Sequence, residues 1–447
     1  MTTPICDFVK RYTESNTLRL HMPGHKGVKL LGVEALDITE IDGADVLYSP
    51  TGIIAESEEN AAALFGSGRT VYSTEGSSLS IRAMLYLALL WGRESGKDTV
   101  IFAGRNAHRV FHSATALLDV DVEWLSCEND TLLSCAITPE LLDKALSSTH
   151  KKPFAVYLTS PDYLGNILDV RGLSEVARKH GILCLVDNAH GAYLNFLEES
   201  QHPISLGAHI CADSAHKTLP ALTGAGYLHI SKDAPSLLLE EAEDAMALFA
   251  STSPSYLILQ SLDAVNKYIS EGYPERLRDF CERLSALKTE LTEAGYRFFG
   301  NEPLKLSIDA KAYGYTGEEL SQRLMNNNVA CEHSDKDTAV LMLTPETGER
   351  GLARLRQALL SIEKKDAMTE KPPTPKARRA VVSARDAILS PKEKINAVDS
   401  IGRILADLSV SCPPAIPIVA CGEVIDENAV ELFKYYGIDT VTVVKLS

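Results

Sequence analysis

Between residues 51 and 250 five short apolar runs, at 99–103, 154–159, 182–187, 209–213 and 226–230, alternate with helical stretches. Runs that are apolar at nearly every position suit strands buried on both faces. Such strands belong to a parallel or mostly parallel sheet covered by helices. The intervening helices are expected at 78–92, 173–180 and 236–250. The fold class is therefore α/β. In sheets of this kind ligands sit outside the carboxyl ends of the strands. Two of the runs end in reactive groups. One ends in Asp187-Asn188-Ala189-His190-Gly191, and another leads into Ser214-Ala215-His216-Lys217.

A lysine after a buried strand is ordinarily a solvated strand end. An aspartate and a lysine brought to one sheet edge, however, suit pyridoxal 5'-phosphate. The Lys217 amine can form a Schiff base with its aldehyde, and Asp187 can hold its ring nitrogen protonated so that the ring drains electrons. The phosphate needs donors at a helix start. Gly76, Ser77 and Ser78 precede the apolar stretch 79–90, where close backbone approach, hydroxyls and the positive helix end coincide. Ser214 adds a hydroxyl. Glu75 adjoins this turn, and its carboxylate must point away from a phosphate. His108 follows the run at 99–103 and can stack on the ring. Ala189 is small enough to lie against the opposite ring face.

Composition narrows the partners. A net charge of −16 with no basic face argues against nucleic acid, while an acidic field favours a cationic substrate. Nine cysteines are scattered without a Cys-x-x-Cys pair, as in a reducing compartment. No apolar signal segment occurs within residues 1–16, and the run 83–91 is too short to span a bilayer. A cytoplasmic protein with no membrane partner is expected. His21 and His25 are four apart, but Pro23-Gly24 between them prevents a helical metal pair, so no metal is expected.

Five segments follow from pattern and composition. Residues 1–50 read as an irregular arm and 51–250 as a large cofactor-binding domain. Residues 251–365 read as a small α+β domain, with long helices at 254–271 and 274–295. The Lys-, Pro-, Thr- and Glu-rich stretch at 366–384 reads as an exposed linker. A C-terminal domain at 385–447 is expected to hold a helix near 391–408, strand-like 416–420, a helix at 427–437 and a strand at 440–444.

The order of these motifs resembles the pyridoxal-phosphate-dependent Orn/Lys/Arg decarboxylase family, of the aspartate-aminotransferase fold type I, in its short form without an N-terminal wing. The resemblance rests on His21-Met22-Pro23-Gly24-His25-Lys26-Gly27, Asp42-Gly43-Ala44-Asp45, Arg105-Asn106-Ala107-His108 and Thr159-Ser160-Pro161-Asp162-Tyr163. It continues through Asp187-Asn188-Ala189-His190-Gly191, Ser214-Ala215-His216-Lys217-Thr218, Pro413-Pro414-Ala415-Ile416-Pro417 and Gly422-Glu423. It implies that Lys217 carries the cofactor, Asp187 holds the ring nitrogen and His108 stacks on the ring. Ser77, Ser78 and Ser214 would bind phosphate, His216 would assist proton return and His190 would shape the pocket. It also implies a homodimer or higher homo-oligomer, and decarboxylation of lysine, arginine or ornithine to an amine in polyamine biosynthesis. Glu423 and Asp45 are candidates for the substrate's cationic end. Two alternatives remain: an aminotransferase or lyase on the same fold, with Arg350, Arg354 and Arg356 at hand for a carboxylate, and a non-catalytic paralogue that binds the cofactor or a polyamine.

Overall fold

The computed structural model describes residues 1–126, 131–408, 411–412 and 416–446. The chain divides into two compact units that interleave along the sequence. The first comprises Met1–Gly96 and Val170–Leu277, the second Lys97–Asp169 and Arg278–Ser447.

Seven strands arise in chain order: β1 (Arg69–Ser73), β2 (Val100–Gly104), β3 (Asp121–Leu125), β4 (Ala155–Thr159), β5 (Leu183–Asp187), β6 (Ile210–Asp213) and β7 (Gly226–Ile230). The five expected runs all form strands. In the first unit the order is β1-β7-β6-β5. The pair β5/β6 is parallel, with Asp187 opposite Ala212, while β7 runs antiparallel to β6 and to β1. In the second unit β2 lies between β4 and β3, parallel to both. The sheet class is thus α/β and mostly parallel. The strands β1 and β3 are additions to the five expected runs. Arg69, Thr70, Asp121 and Glu123 interrupt their apolar character, so continuity of hydrophobicity does not mark them.

Helix Gly76–Glu94 buries residues on most of its circumference and packs on β6 and β7. A helix apolar all round must be enclosed, and its enclosure fixes where its N-terminus lies. Helix Val170–Lys179 shows the opposite design. Val170, Leu173, Ser174 and Ala177 form one buried stripe against β5. The 236–250 stretch forms two short helices, Ser236–Glu240 and Ala242–Ala247.

Two expectations are corrected. The arm is not irregular throughout, because Pro4–Glu14 is a helix with Pro4 in its first turn and Ile5 and Val9 buried. The helix expected near 391–408 is instead a strand, β12 (Lys392–Asn396), antiparallel to β13 (Thr440–Val444). Its exposed Lys392, Lys394 and Asn396 alternate with half-buried Glu393 and Ile395, a period of two.

The second unit also holds a four-stranded antiparallel sheet. Its strands are β8 (Phe298–Phe299), β9 (Lys305–Asp309), β10 (His333–Ser334) and β11 (Thr338–Met342), in the order β10-β11-β9-β8. Near the C-terminus Leu405, Ile418, Val419, Phe433 and Val443 form a dry cluster. The 366–379 stretch has no regular structure, yet it is tied down: Arg378 Nε reaches Asp426 Oδ1 at 2.9 Å and Lys376 N reaches Asn428 Oδ1 at 3.1 Å. Pro413-Pro414-Ala415 lies outside the described residues. Among the described residues, no helix is long and apolar enough to cross a membrane.

Candidate active site

Strand β5 delivers Asp187 to its carboxyl end, where the carboxylate is buried and accepts from Ala189 N at 3.1 Å. Neighbouring β6 ends at Asp213, and the chain turns at Ser214 into the one-turn helix Ala215–Thr218 that carries His216 and Lys217. Lys217 is half-buried, with Nζ 3.2 Å from His190 Nε2. His216 Nδ1 donates to the Ala225 carbonyl at 2.8 Å, which places the lone pair of a neutral ring on Nε2.

The phosphate candidates converge on the same edge. Ser214 Oγ donates to Ser77 Oγ at 2.8 Å, joining the lysine turn to the start of helix Gly76–Glu94. Gly76 has φ +67°, and its N–H meets the Gly224 carbonyl at 2.6 Å. Across from it, a Cβ on Gly226 would lie 2.9 Å from Gly76 C and 3.1 Å from Ser77 N. Only glycine permits β7 to press this closely on a helix start. The Glu75 carboxylate takes the Ser251 N–H at 2.8 Å, and Ser78 is half-buried.

One group escaped the sequence reading. Asp213 is fully buried; its Oδ1 accepts from Asn188 Nδ2 at 2.7 Å and its Oδ2 from His202 Nε2 at 3.0 Å, with His229 Nε2 at 3.5 Å. Burial opposes its charge, but the two histidines outweigh burial and hold the carboxyl well below its usual range. His202 Nδ1 accepts from Ile204 N at 3.4 Å, so Nε2 bears the proton. With Cys211 Sγ 3.7 Å from Asp213 Oδ1, the group superficially offers metal ligands, but that tautomer makes His202 a donor. Asp213, the residue before Ser214, is therefore tied to Asn188, the residue after Asp187. An acidic end on the otherwise apolar run 209–213 was the available signal.

His108 and Glu423 lie in the second unit. His108 caps helix Arg109–Leu118, with Nδ1 accepting from Val110 N at 3.3 Å. Glu423 Oε2 accepts from Arg105 Nη2 at 2.8 Å and from Ala420 N at 2.7 Å. Asp45, in the first unit, is engaged by the backbone of its own loop. Oδ1 accepts from Val46 N and Thr51 N, and Oδ2 from Gly52 N and Ile54 N. Burial works against its charge, and those donors outweigh it, so its carboxyl stays below the ordinary range. His21 and His25 have separate partners, Tyr12 Oη and Asp37 Oδ2.

The first unit's donor set fits pyridoxal phosphate. A half-buried amine, a buried carboxylate at a neighbouring strand end and a glycine-lined helix start bearing two linked serines supply what its aldehyde, ring nitrogen and phosphate require. The buried Thr218 Oγ1 and Asn188 Oδ1 of these turns have no hydrogen-bond partner among the described residues, which leaves polar capacity to spare there.

Comparison with known proteins gives a consistent result. A family model described as Orn/Lys/Arg decarboxylase, major domain, matches residues 3–301. The arginine decarboxylase of Bacillus subtilis is 28% identical, over 97% of this chain and 93% of that protein. The arginine decarboxylase of Halalkalibacterium halodurans is 29% identical, over 95% and 91%. In fold, the chain is similar to the solved constitutive lysine decarboxylase of E. coli, with a TM-score of 0.76 at 16% identity, over 99% of this chain and 82% of that one.

Proposed function

The chain belongs to the Orn/Lys/Arg decarboxylase family of pyridoxal-phosphate lyases, and we propose that it removes the α-carboxyl group of arginine, lysine or ornithine as CO2. The product is the corresponding amine, a polyamine or its precursor. The observation that carries this reading is the convergence of Lys217, Asp187 and the Ser77–Ser214 pair on one sheet edge.

In this reading pyridoxal phosphate, when bound, supplies the sink for the electrons of the breaking C–C bond. Lys217 would hold the cofactor through its amine. Asp187, through its buried carboxylate, would favour the protonated form of the ring nitrogen. Ala189 would lie against one face of the ring. Ser77, Ser78 and Ser214 hold the phosphate, with Gly76 admitting it close to the backbone. His190 hydrogen-bonds the Lys217 amine and orients it. His216, its Nδ1 fixed by Ala225, has Nε2 to carry a proton to the α-carbon after CO2 leaves. The aminotransferase alternative finds no comparable support, since Arg356 is bound by Glu290 on an exposed helix face where Arg350 and Arg354 also lie.

A homodimer belongs to the same proposal. Leu18, Leu20, Leu30 and Leu31 of the arm are 78–90% exposed, an apolar surface that suits a second copy. A cytoplasmic setting follows from substrate and cofactor supply. The test is Lys217→Ala. It should abolish CO2 release from all three amino acids and remove the borohydride-fixable pyridoxyl group, with mass spectrometry identifying the amine made by wild type. A variant that still releases CO2 at the wild-type rate overturns the proposal.

A further inference from the structure

A cavity of about 600 Å³ opens in the second unit along the outer side of β3. Its walls are Val120–Trp124, His112 and Thr115 of helix Arg109–Leu118, the 377–384 stretch, and Ala420, Cys421 and Glu423. The 377–384 wall is held by backbone pairing: Val381 N donates to the Gly422 carbonyl at 3.0 Å, and Ala380 bridges Glu423. The volume is that of a small-molecule site.

Two buried polar atoms of the wall residues, Glu423 Oε1 and His112 Nε2, and one behind the wall, Arg105 Nη1, have no hydrogen-bond partner among the described residues. Such atoms are rare in folded proteins, because each costs about 1–3 kcal/mol when unsatisfied. Their chemistry is specific. Glu423 Oε1 accepts. His112 gives its other nitrogen's proton to the Ala107 carbonyl, so Nε2 also accepts. Arg105 Nη1 only donates, and its guanidinium lies 4.8 Å over the Trp124 ring in the cavity wall. Arg105 is paired with Glu423, Lys151 with Glu123 and Arg378 with Asp426. The wall's Arg379 and Asp121 have no ion-pair partner among the described residues. A molecule carrying both signs of charge suits a wall that offers both.

We propose that this cavity binds a free α-amino acid, its ammonium group toward Glu423 Oε1 and His112 Nε2 and its carboxylate toward Arg379. His112 sits one turn along the helix that His108 caps, so a ligand held by His112 restrains that helix start. The binding claim itself does not depend on that role.

The test is equilibrium dialysis of radiolabelled L-lysine and glycine against the full-length Lys217→Ala protein, alone or combined with His112→Leu or Val382→Trp. His112→Leu removes one acceptor. Val382→Trp fills the cavity from its non-polar wall and remains decisive if the histidine variant fails to fold. Either substitution should remove one bound equivalent of amino acid per chain. Pentylamine and hexanoate, each with half of the zwitterion, should bind at least about tenfold more weakly, a difference of about 1.4 kcal/mol. The idea is overturned if Val382→Trp binds as many equivalents as its parent, or if no equivalent is lost at about 10 mM ligand, because the cavity then holds water only. Failure of the decarboxylase assignment reads differently: the wild-type protein then releases no CO2 from any of the three basic amino acids, whereas the one-equivalent difference between parent and filled cavity persists.

Discussion

Asp213 in the first unit and Glu423 in the second are carboxylates almost wholly withdrawn from water, 0% and 1% exposed. Asp213 has partners on both oxygens: Asn188 on one, His202 on the other, with His229 close by. Glu423 has two donors on one oxygen and, among the described residues, none on the other. A saturated buried acid acts as framing, because every partner loses if anything moves. A half-saturated one keeps capacity for something that comes and goes. The first unit thus stiffens the turns around Lys217, while the second leaves polar atoms waiting beside a cavity.

The sharpest way to break this contrast is Asp213→Ala. It strips His202 and Asn188 of their acceptor in a water-free core and should cost about 3–5 kcal/mol of unfolding free energy in urea titration. Glu423→Gln keeps an amide oxygen for Ala420 N but leaves the Arg105 charge uncompensated. Because the Arg105 side chain retains 17% exposure, a smaller loss of about 2–3 kcal/mol is expected. Equal losses would mean that the two acids play the same structural part.

Much of this arrangement was readable in the chain. The strands ending at Asp187 and Asp213 announced themselves through unbroken apolar runs, and the serine–glycine turn through its position before an apolar helix. What escaped was set by partners distant in sequence. Asp213 looked like a strand's polar end until His202 and Asn188 were seen to close on it. Likewise β12 reads as polar and helical in isolation, and becomes a strand because the buried Val441 and Val443, far along the chain, pair with Ile395 and Glu393. The backbone engagement of Asp45 was equally hidden: its oxygens accept from five N–H groups, those of Val46, Thr51, Gly52, Ile54 and Ala55.

A pH titration sharpens the second half of the comparison. Burial, helped by the Arg105 charge, pushes His112 down from 6.5 to about 3. Folded His112 therefore stays neutral while the unfolded chain takes up a proton below pH 6.5. In the window from 6.5 down to about 3 the unfolded state binds more protons, so stability falls as pH falls. The slope reaches about 1.4 kcal/mol per pH unit, or about 2 kcal/mol lost by pH 5. His112→Leu should flatten that part of the stability–pH curve measured by denaturant titration. An unchanged curve would show that the imidazole is not sequestered, and the unsatisfied Nε2 would lose its meaning.

The smallest expected effect tests the rigidity of the first unit. Gly76 has φ +67°, yet a Cβ there would meet only His216 Cε1, at an ordinary 3.7 Å. Gly76→Ala should therefore cost only the left-handed backbone penalty, about 1 kcal/mol. Where that strain goes is informative. The helix start is pinned between the Gly224 carbonyl and the Gly226 backbone, so it cannot relax by shifting outward. If the frame is as stiff as Asp213 implies, the strain stays at the phosphate turn. Pyridoxal phosphate affinity, followed by the absorbance of bound cofactor, should then fall about fivefold while the urea midpoint barely moves. A variant that loses stability but keeps its cofactor affinity would show that the turn yields, and that the saturated acid beneath it does not hold it still.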